Sequence, residues 1–98
     1  MNNMVCSIGL CKRAGKLVAG FDGVKEALAN HTALLVLLAS DLSEKTKKEC
    51  RFLAEKYDAP ILELDSTMEE LSEMLRKRTG VLATTDAGFA RMLSSKRP

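Results

Sequence analysis

Tryptophan is absent from this chain of 98 residues, and three Phe and one Tyr are its whole aromatic content. A stacking platform for single-stranded bases needs several exposed rings, so that mode of binding is disfavoured, and the core must be aliphatic. The three cysteines, Cys6, Cys11 and Cys50, form an odd set without a CxxC pair. That argues against a disulfide framework and a zinc ribbon, and all three are expected as small core residues within apolar helical patterns. The one histidine, His31, falls in the polar break Asn30-His31-Thr32 and is expected on a loop surface. A lone imidazole without cysteines at ligand spacing builds no usual zinc site, and nothing places it beside a cysteine as a base. There is no GxxxxGK or GxGxxG loop for a nucleotide, and Glu69 and Glu70 belong to a helix start, where the macrodipole favours acids. No catalytic residue, metal ligand or cofactor is therefore expected. Long apolar runs are missing too: Ala33 to Ala39 is far short of the roughly 20 residues of a membrane helix. No signal-peptide run follows Met1-Asn2-Asn3-Met4. The expectation is a soluble, cytoplasmic protein with no membrane partner.

What is present is a chain that is 46% hydrophobic and long enough for one domain, residues 1–98. Its net charge is +2, but the charges are segregated. Lys12, Arg13, Lys16 and Lys25 form a first basic group, Lys45, Lys47, Lys48 and Arg51 a second, and Arg76, Lys77 and Arg78 a third. The acids concentrate in Glu63, Asp65, Glu69, Glu70 and Glu73. Such segregation fits one basic face of the kind an RNA partner requires, although the second group also reads as solvated helix surface.

Periodicity predicts a first helix over Met4–Ala14, with Met4, Ile8 and Cys11 on one face beside Val5 and Gly15 as its C-terminal cap. Leu17 to Ala19 reads as a short strand. Gly20 allows a sharp turn, and Asp22 is expected to cap a second helix, Gly23 to Ala29. Ala33 to Ala39, apolar without alternation, is the pattern of a central strand covered on both faces. Asp41 to Glu44 offers a capping box for a third helix, Glu44 to Tyr57, with Cys50, Leu53, Ala54 and Tyr57 inward. A third strand, Ile61 to Leu64, follows Pro60. Thr67 to Glu70 is another capping box, opening a helix with Met68, Leu71, Met74 and Leu75 inward and Gly80 as its end. Val81 to Thr84 is the fourth strand, Asp86 caps a last helix through Leu93, and Ser94 to Pro98 reads as a loose basic tail. Alternating helices and strands imply an α/β fold, a three-layer α/β/α sandwich around a four-stranded sheet. The final strand is free to run antiparallel.

The most informative stretch is Gly15 to Lys25: a strand, a glycine-rich turn and a helix start, flanked by cations. N–H groups at a helix start attract anions, and glycines let a phosphate or base edge approach the backbone. Lys16 and Lys25, joined by Arg13, would neutralise phosphates. An ordinary β-to-α turn accounts for the same glycines.

Three local words in this order resemble the kink-turn-binding ribosomal protein family, the L-seven-Ae / L-thirty-e group, and above all its small bacterial members encoded beside translation-factor genes. They are Ile8-Gly9-Leu10 with Arg13-Ala14-Gly15-Lys16-Leu17-Val18-Ala19-Gly20, then Leu35-Val36-Leu37-Leu38-Ala39-Ser40-Asp41, then Thr85-Asp86-Ala87-Gly88-Phe89-Ala90. The resemblance covers essentially the whole chain. It implies an α/β/α sandwich that binds a sharply bent RNA duplex with tandem G·A pairs, ribosomal RNA being one candidate, through the start of the second helix and neighbouring loops. That places Gly20, Phe21, Asp22, Gly23 and Lys25 in the first contact segment, Ser40 and Asp41 in a second, and Asp65 to Met68 in a third. The family turn reads Gly-x-Asn-Glu-x-x-Lys, against Gly20-Phe21-Asp22-Gly23-Val24-Lys25-Glu26 here. Asp22 replaces the amide, Gly23 the carboxylate that reads a guanine edge, and Glu26 the lysine. Lys25 stands one residue early, about 100° round the helix. The expected function is kink-turn RNA binding; the alternative is a protein-interaction module on the same fold with RNA binding lost, which an exposed apolar patch around Phe21 and Met68 would favour. Oligomeric state is not legible.

Overall fold

A computed structural model describes residues 3–96. The elements run α1 (Asn3–Arg13), β1 (Leu17–Ala19), α2 (Phe21–Ala29), β2 (Leu35–Leu38), α3 (Glu44–Lys56), β3 (Ile61–Glu63), α4 (Met68–Leu75), β4 (Val81–Thr84) and α5 (Ala87–Ser95). The four strands form one sheet in the order β1-β4-β2-β3. β2 and β3 are parallel, while β4 lies between β1 and β2 and is antiparallel to both.

Every residue of β2 and β4 is buried, which is why neither alternates in sequence. Successive β2 side chains enter two different cores. Leu35, Leu37 and Ala39 pack with Val5 and Ile8 of α1, Leu71 and Leu75 of α4 and Leu93 of α5. Val36 and Leu38 pack with Val24, Ala27 and Leu28 of α2 and Cys50 of α3. The period of two in a strand divides one apolar run between both faces, and the three-layer sandwich follows.

Several local expectations are met. Thr67 and Glu70 form a reciprocal capping box, and Asp86 Oδ2 accepts from Phe89 N at 2.9 Å. Others are corrected. Gly20, not Asp22, is the N-cap of α2, which therefore begins earlier, at Phe21. α3 is capped by Ser43, whose Oγ accepts from Thr46 N at 3.2 Å, rather than by a box from Asp41. α4 ends not at Gly80 but at Arg76, a left-handed residue with φ of 58°. Cys6 is exposed, because it lies about 200° round the helix from Met4, away from the buried stripe of Ile8 and Cys11. Ser94 and Ser95 continue α5 instead of starting a tail, while Arg97 and Pro98 lie outside the described residues. Among the described residues, no helix is long and apolar enough to cross a membrane.

Candidate functional site

The strand directions determine what comes together. β1, β2 and β3 share one direction and β4 opposes them, so the exits of three strands meet the entrance of the fourth at one end of the sheet. α2, α3 and α4 all begin there. Gly20, the β2–α3 loop, the β3–α4 loop and the segment before β4 are therefore neighbours, although they are widely separated in sequence.

Hydrogen bonds bind these segments into one surface. Gly20 N donates to Val81 O and Ala39 N to Gly80 O, both at 2.8 Å. Ser40 N donates to Ser66 O at 2.8 Å, and Asp41 Oδ1 accepts from Met68 N at the same distance. Lys47 Nζ donates to Ser40 O at 2.9 Å. Gly80 lies under this lattice: a Cβ there would stand 2.7 Å from Met68 Cγ and 2.8 Å from Leu42 Cδ2. Ser40 thus has a fixed backbone, and Asp41 joins two loops and satisfies the first N–H of α4.

The three helix starts differ in one respect. Ser43 and Thr67 cap α3 and α4, whereas no side chain caps α2. The N–H groups of its first turn, where Phe21, Asp22 and Gly23 stand, are left without a capping acceptor and carry the positive end of the helix dipole. Gly20 has φ of 104°, a conformation open to glycine, and a Cβ on it would lie 3.2 Å from Lys77 Nζ. Lys77 itself donates to Ala19 O at 3.0 Å. A lysine ammonium therefore rests directly over an uncapped helix start, held by a carbonyl against an unfavourable dipole. Such a pair of positive features suits an anion. Gly23 packs closely on β1, with its would-be Cβ 3.0 Å from Val18 Cγ1, so the departure from the family carboxylate coincides with tight helix–strand contact. Asp22 and Lys25 are exposed on the first turns of α2.

Arg13 and Lys16 do not join this group. Lys16 precedes β1 while Gly20 follows it, a separation of roughly 13 Å along the strand. At that other end Lys16 O accepts from Thr84 Oγ1 at 2.9 Å and from Thr85 N at 3.1 Å. The Cys11 thiol donates to Lys16 O and Thr84 Oγ1, and burial pushes its pKa up, with the Thr84 hydrogen bond opposing. Arg13 lines a shallow recess of about 340 Å³ between α1 and α4 with Cys6, Gly9, Lys12 and Met74. Lys77 occupies the place those cations were expected to fill. Its signal in sequence is the run Arg76-Lys77-Arg78, which only the pairing of β4 with β1 brings beside α2.

The second basic group is partly neutralised. Arg51 bonds Glu63 at 3.0 Å, and Lys47 lies 3.6 Å from the same carboxylate. The Arg51 hydrogen bond, more than any other influence, holds the Glu63 carboxyl below its usual range. Phe21 and Met68 are each half-buried against a core, so neither forms an exposed apolar patch. His31 is exposed with φ of 60°, its ring edge-on to Tyr57. Among the described residues no group of His, Cys, Asp or Glu is arranged to hold a metal ion.

Comparison with known proteins matches the chain, over residues 5–94, to the model of the Ribosomal protein L7Ae/L30e/S12e/Gadd45 family. It is 38% identical over 84 residues to a protein of Enterococcus faecium named RNA-binding protein YlxQ, covering 86% of this chain and 81% of the relative. A Bacillus subtilis (strain 168) protein of the same name is 35% identical over 88 residues, covering 90% and 88%. A solved structure of a protein with unknown function from Bacillus halodurans C superposes with a TM-score of 0.89 at 29% identity, covering 97% of this chain and 96% of that one. The chain belongs to the L7Ae/L30e/S12e/Gadd45 family, as a small bacterial member.

Proposed function

We propose that this member of the family binds structured RNA, and that the RNA it recognises is sharply bent in the manner of a kink-turn, seated on the start of α2 and the loops beside it. The observation that carries this reading is the uncapped start of α2 with Lys77 Nζ over it, 3.0 Å from Ala19 O. A phosphate there would accept from the N–H groups of the first turn and from the ammonium together. The names of the two curated relatives support RNA as the ligand. Lys25, one turn into the helix, would take a second phosphate, and lysine's flexible stem suits that role. Asp22 would accept from a guanine amino group, an acceptor role that a carboxylate can fill although it cannot donate as an amide does. The Ser40 hydroxyl, on a backbone pinned by Ser66 and Lys47, would meet a sugar or base. The protein acts by binding and shaping RNA, with no chemical step.

The test is a titration at two salt concentrations with a kink-turn RNA and with a control whose tandem G·A pairs are replaced by Watson–Crick pairs. Clear preference for the kink-turn, lost on Lys77→Ala plus Asp22→Ala, is expected. Equal, steeply salt-dependent binding to both RNAs would reduce the surface to a nonspecific cationic one and contradict the reading.

A further inference from the structure

Phe52 is 66% exposed, the most exposed large hydrophobic side chain among the described residues. The chain's other aromatic residues, Phe21, Tyr57 and Phe89, are all half-buried. Folding does not account for Phe52: it buries little, and phenylalanine is a mediocre helix former. Its surroundings are cationic. At 100° per residue, Lys45 lies about 20° and Lys48 and Lys56 about 40° from the direction of Phe52 on α3, with Glu49 and Glu55 further out at about 60° on either margin. All five are exposed. Lys47 and Arg51, which face Glu63, are engaged by it; Lys45 and Lys48 have no ion pair with any described carboxylate, and Lys56 lies 5.4 Å from the Tyr57 ring centre.

We propose that this outer face of α3 is a second RNA contact, taking one unstacked nucleobase on the Phe52 ring and the adjoining phosphates on Lys45, Lys48 and Lys56. A single ring inside a lysine frame fits a base within its phosphodiester chain. It does not fit a protein partner, whose interface core is contiguous, apolar and poor in lysine. The face is also continuous with the loop end of the sheet: α3 starts there at Ser43, and Phe52 lies about 13 Å along the helix from that cap. RNA seated at α2 would reach it with a strand leaving the duplex. The proposal rests on the RNA-binding reading above and adds to it a flanking single-stranded nucleotide, so that one exposed ring stands in for the multi-ring platform that the composition disfavours.

The experiment measures binding of a kink-turn RNA with and without a single-stranded oligouridine tail, for the wild type, Phe52→Ala and Phe52→Trp. The tail should tighten wild-type binding roughly tenfold, the size of one base stacked on one ring. Phe52→Ala should lose most of that increment, leaving only what the lysine–phosphate contacts supply, and keep its affinity for the untailed RNA. Because the chain has no tryptophan of its own, Phe52→Trp supplies a clean reporter, quenched by the tailed RNA and unmoved by the untailed one. Lys45→Ala with Lys48→Ala should lower the salt slope of the tailed complex by roughly 1.4, two single-strand phosphates. An equal tail increment in wild type and Phe52→Ala, with kink-turn preference intact, overturns this proposal alone. A Phe52-dependent dimer that excludes the tail overturns it as well. Quenching by tailed RNA without any preference for the kink-turn sustains the α3 contact and defeats the reading of the α2 site instead.

Discussion

Where α1 hands the chain to β1, the sheet closes on buried polar groups. Thr84 is fully buried; its hydroxyl donates to Lys16 O and accepts from the Cys11 thiol and from Asp86 N at 3.2 Å. Where β1 hands the chain to α2, the same sheet ends on exposed cations and an uncapped helix. Lys77 hangs there on a single carbonyl and Asp41 on a single amide. At the first end the Cys11 thiol, the Thr84 hydroxyl and the Lys16 carbonyl all find their partners inside the protein. The second has an uncapped helix start, and it is ordered by backbone bonds beneath the surface together with single side-chain bonds from Asp41, Lys47 and Lys77. The proposed binding surface therefore sits where the fold leaves hydrogen-bonding capacity unspent on itself.

Substitutions separate these two behaviours. Thr84→Val, nearly isosteric, should lower stability by about 2 kcal/mol in denaturant titration, because buried partners lose their hydroxyl. It should leave RNA affinity of the folded protein unchanged. Gly80→Ala should also destabilise, by roughly 1–2 kcal/mol, since its Cβ meets Met68, Leu42 and Ala39 at 2.7–3.0 Å. Unlike Thr84→Val, it should weaken RNA binding too, because the displaced atoms underlie the loop surface. Lys77→Ala should change stability by no more than about 0.5 kcal/mol while reducing the salt slope of RNA binding by about 0.9. The smallest effect concerns acid. Arg51 depresses the Glu63 pKa, so this pair stabilises the fold at and above the ordinary carboxylate range and is lost as pH falls through the lowered value. Both side chains are close to half exposed, so the contribution is small and salt-screened. Glu63→Gln should flatten a minor part of the acid-side fall in melting temperature, and high salt should remove the difference.

The sheet and its helices were legible because burial writes itself into sequence. β2 and β4 are apolar throughout, and the inward stripes of α1, α3 and α4 recur at helical spacing. Thr67-x-x-Glu70 and Asp86 announce real caps because their acceptors reach amides only three residues away. Longer reach was not legible. Asp41 looked like a local cap, but its carboxylate crosses to Met68, and only the adjacency of the two loops reveals that. Arg76 ends α4 in a left-handed conformation that a non-glycine residue does not advertise, and so the sequence points to Gly80 as the stop. Lys77 reaches the site through the β1–β4 pairing, a property of strand order rather than of any local word. By the same pairing Arg13 and Lys16, close to Gly20 in sequence, fall at the opposite end of β1.

The most direct measurement is a map of backbone amide chemical shifts while kink-turn RNA is titrated into the protein. A site at the start of α2 predicts that the largest changes fall on Gly20 to Lys25, Ser40, Asp41 and Lys77, with Gly15, Lys16 and Thr85 at the opposite end nearly still. Changes centred on Gly15, Lys16 and Arg13, with the start of α2 unmoved, would contradict it.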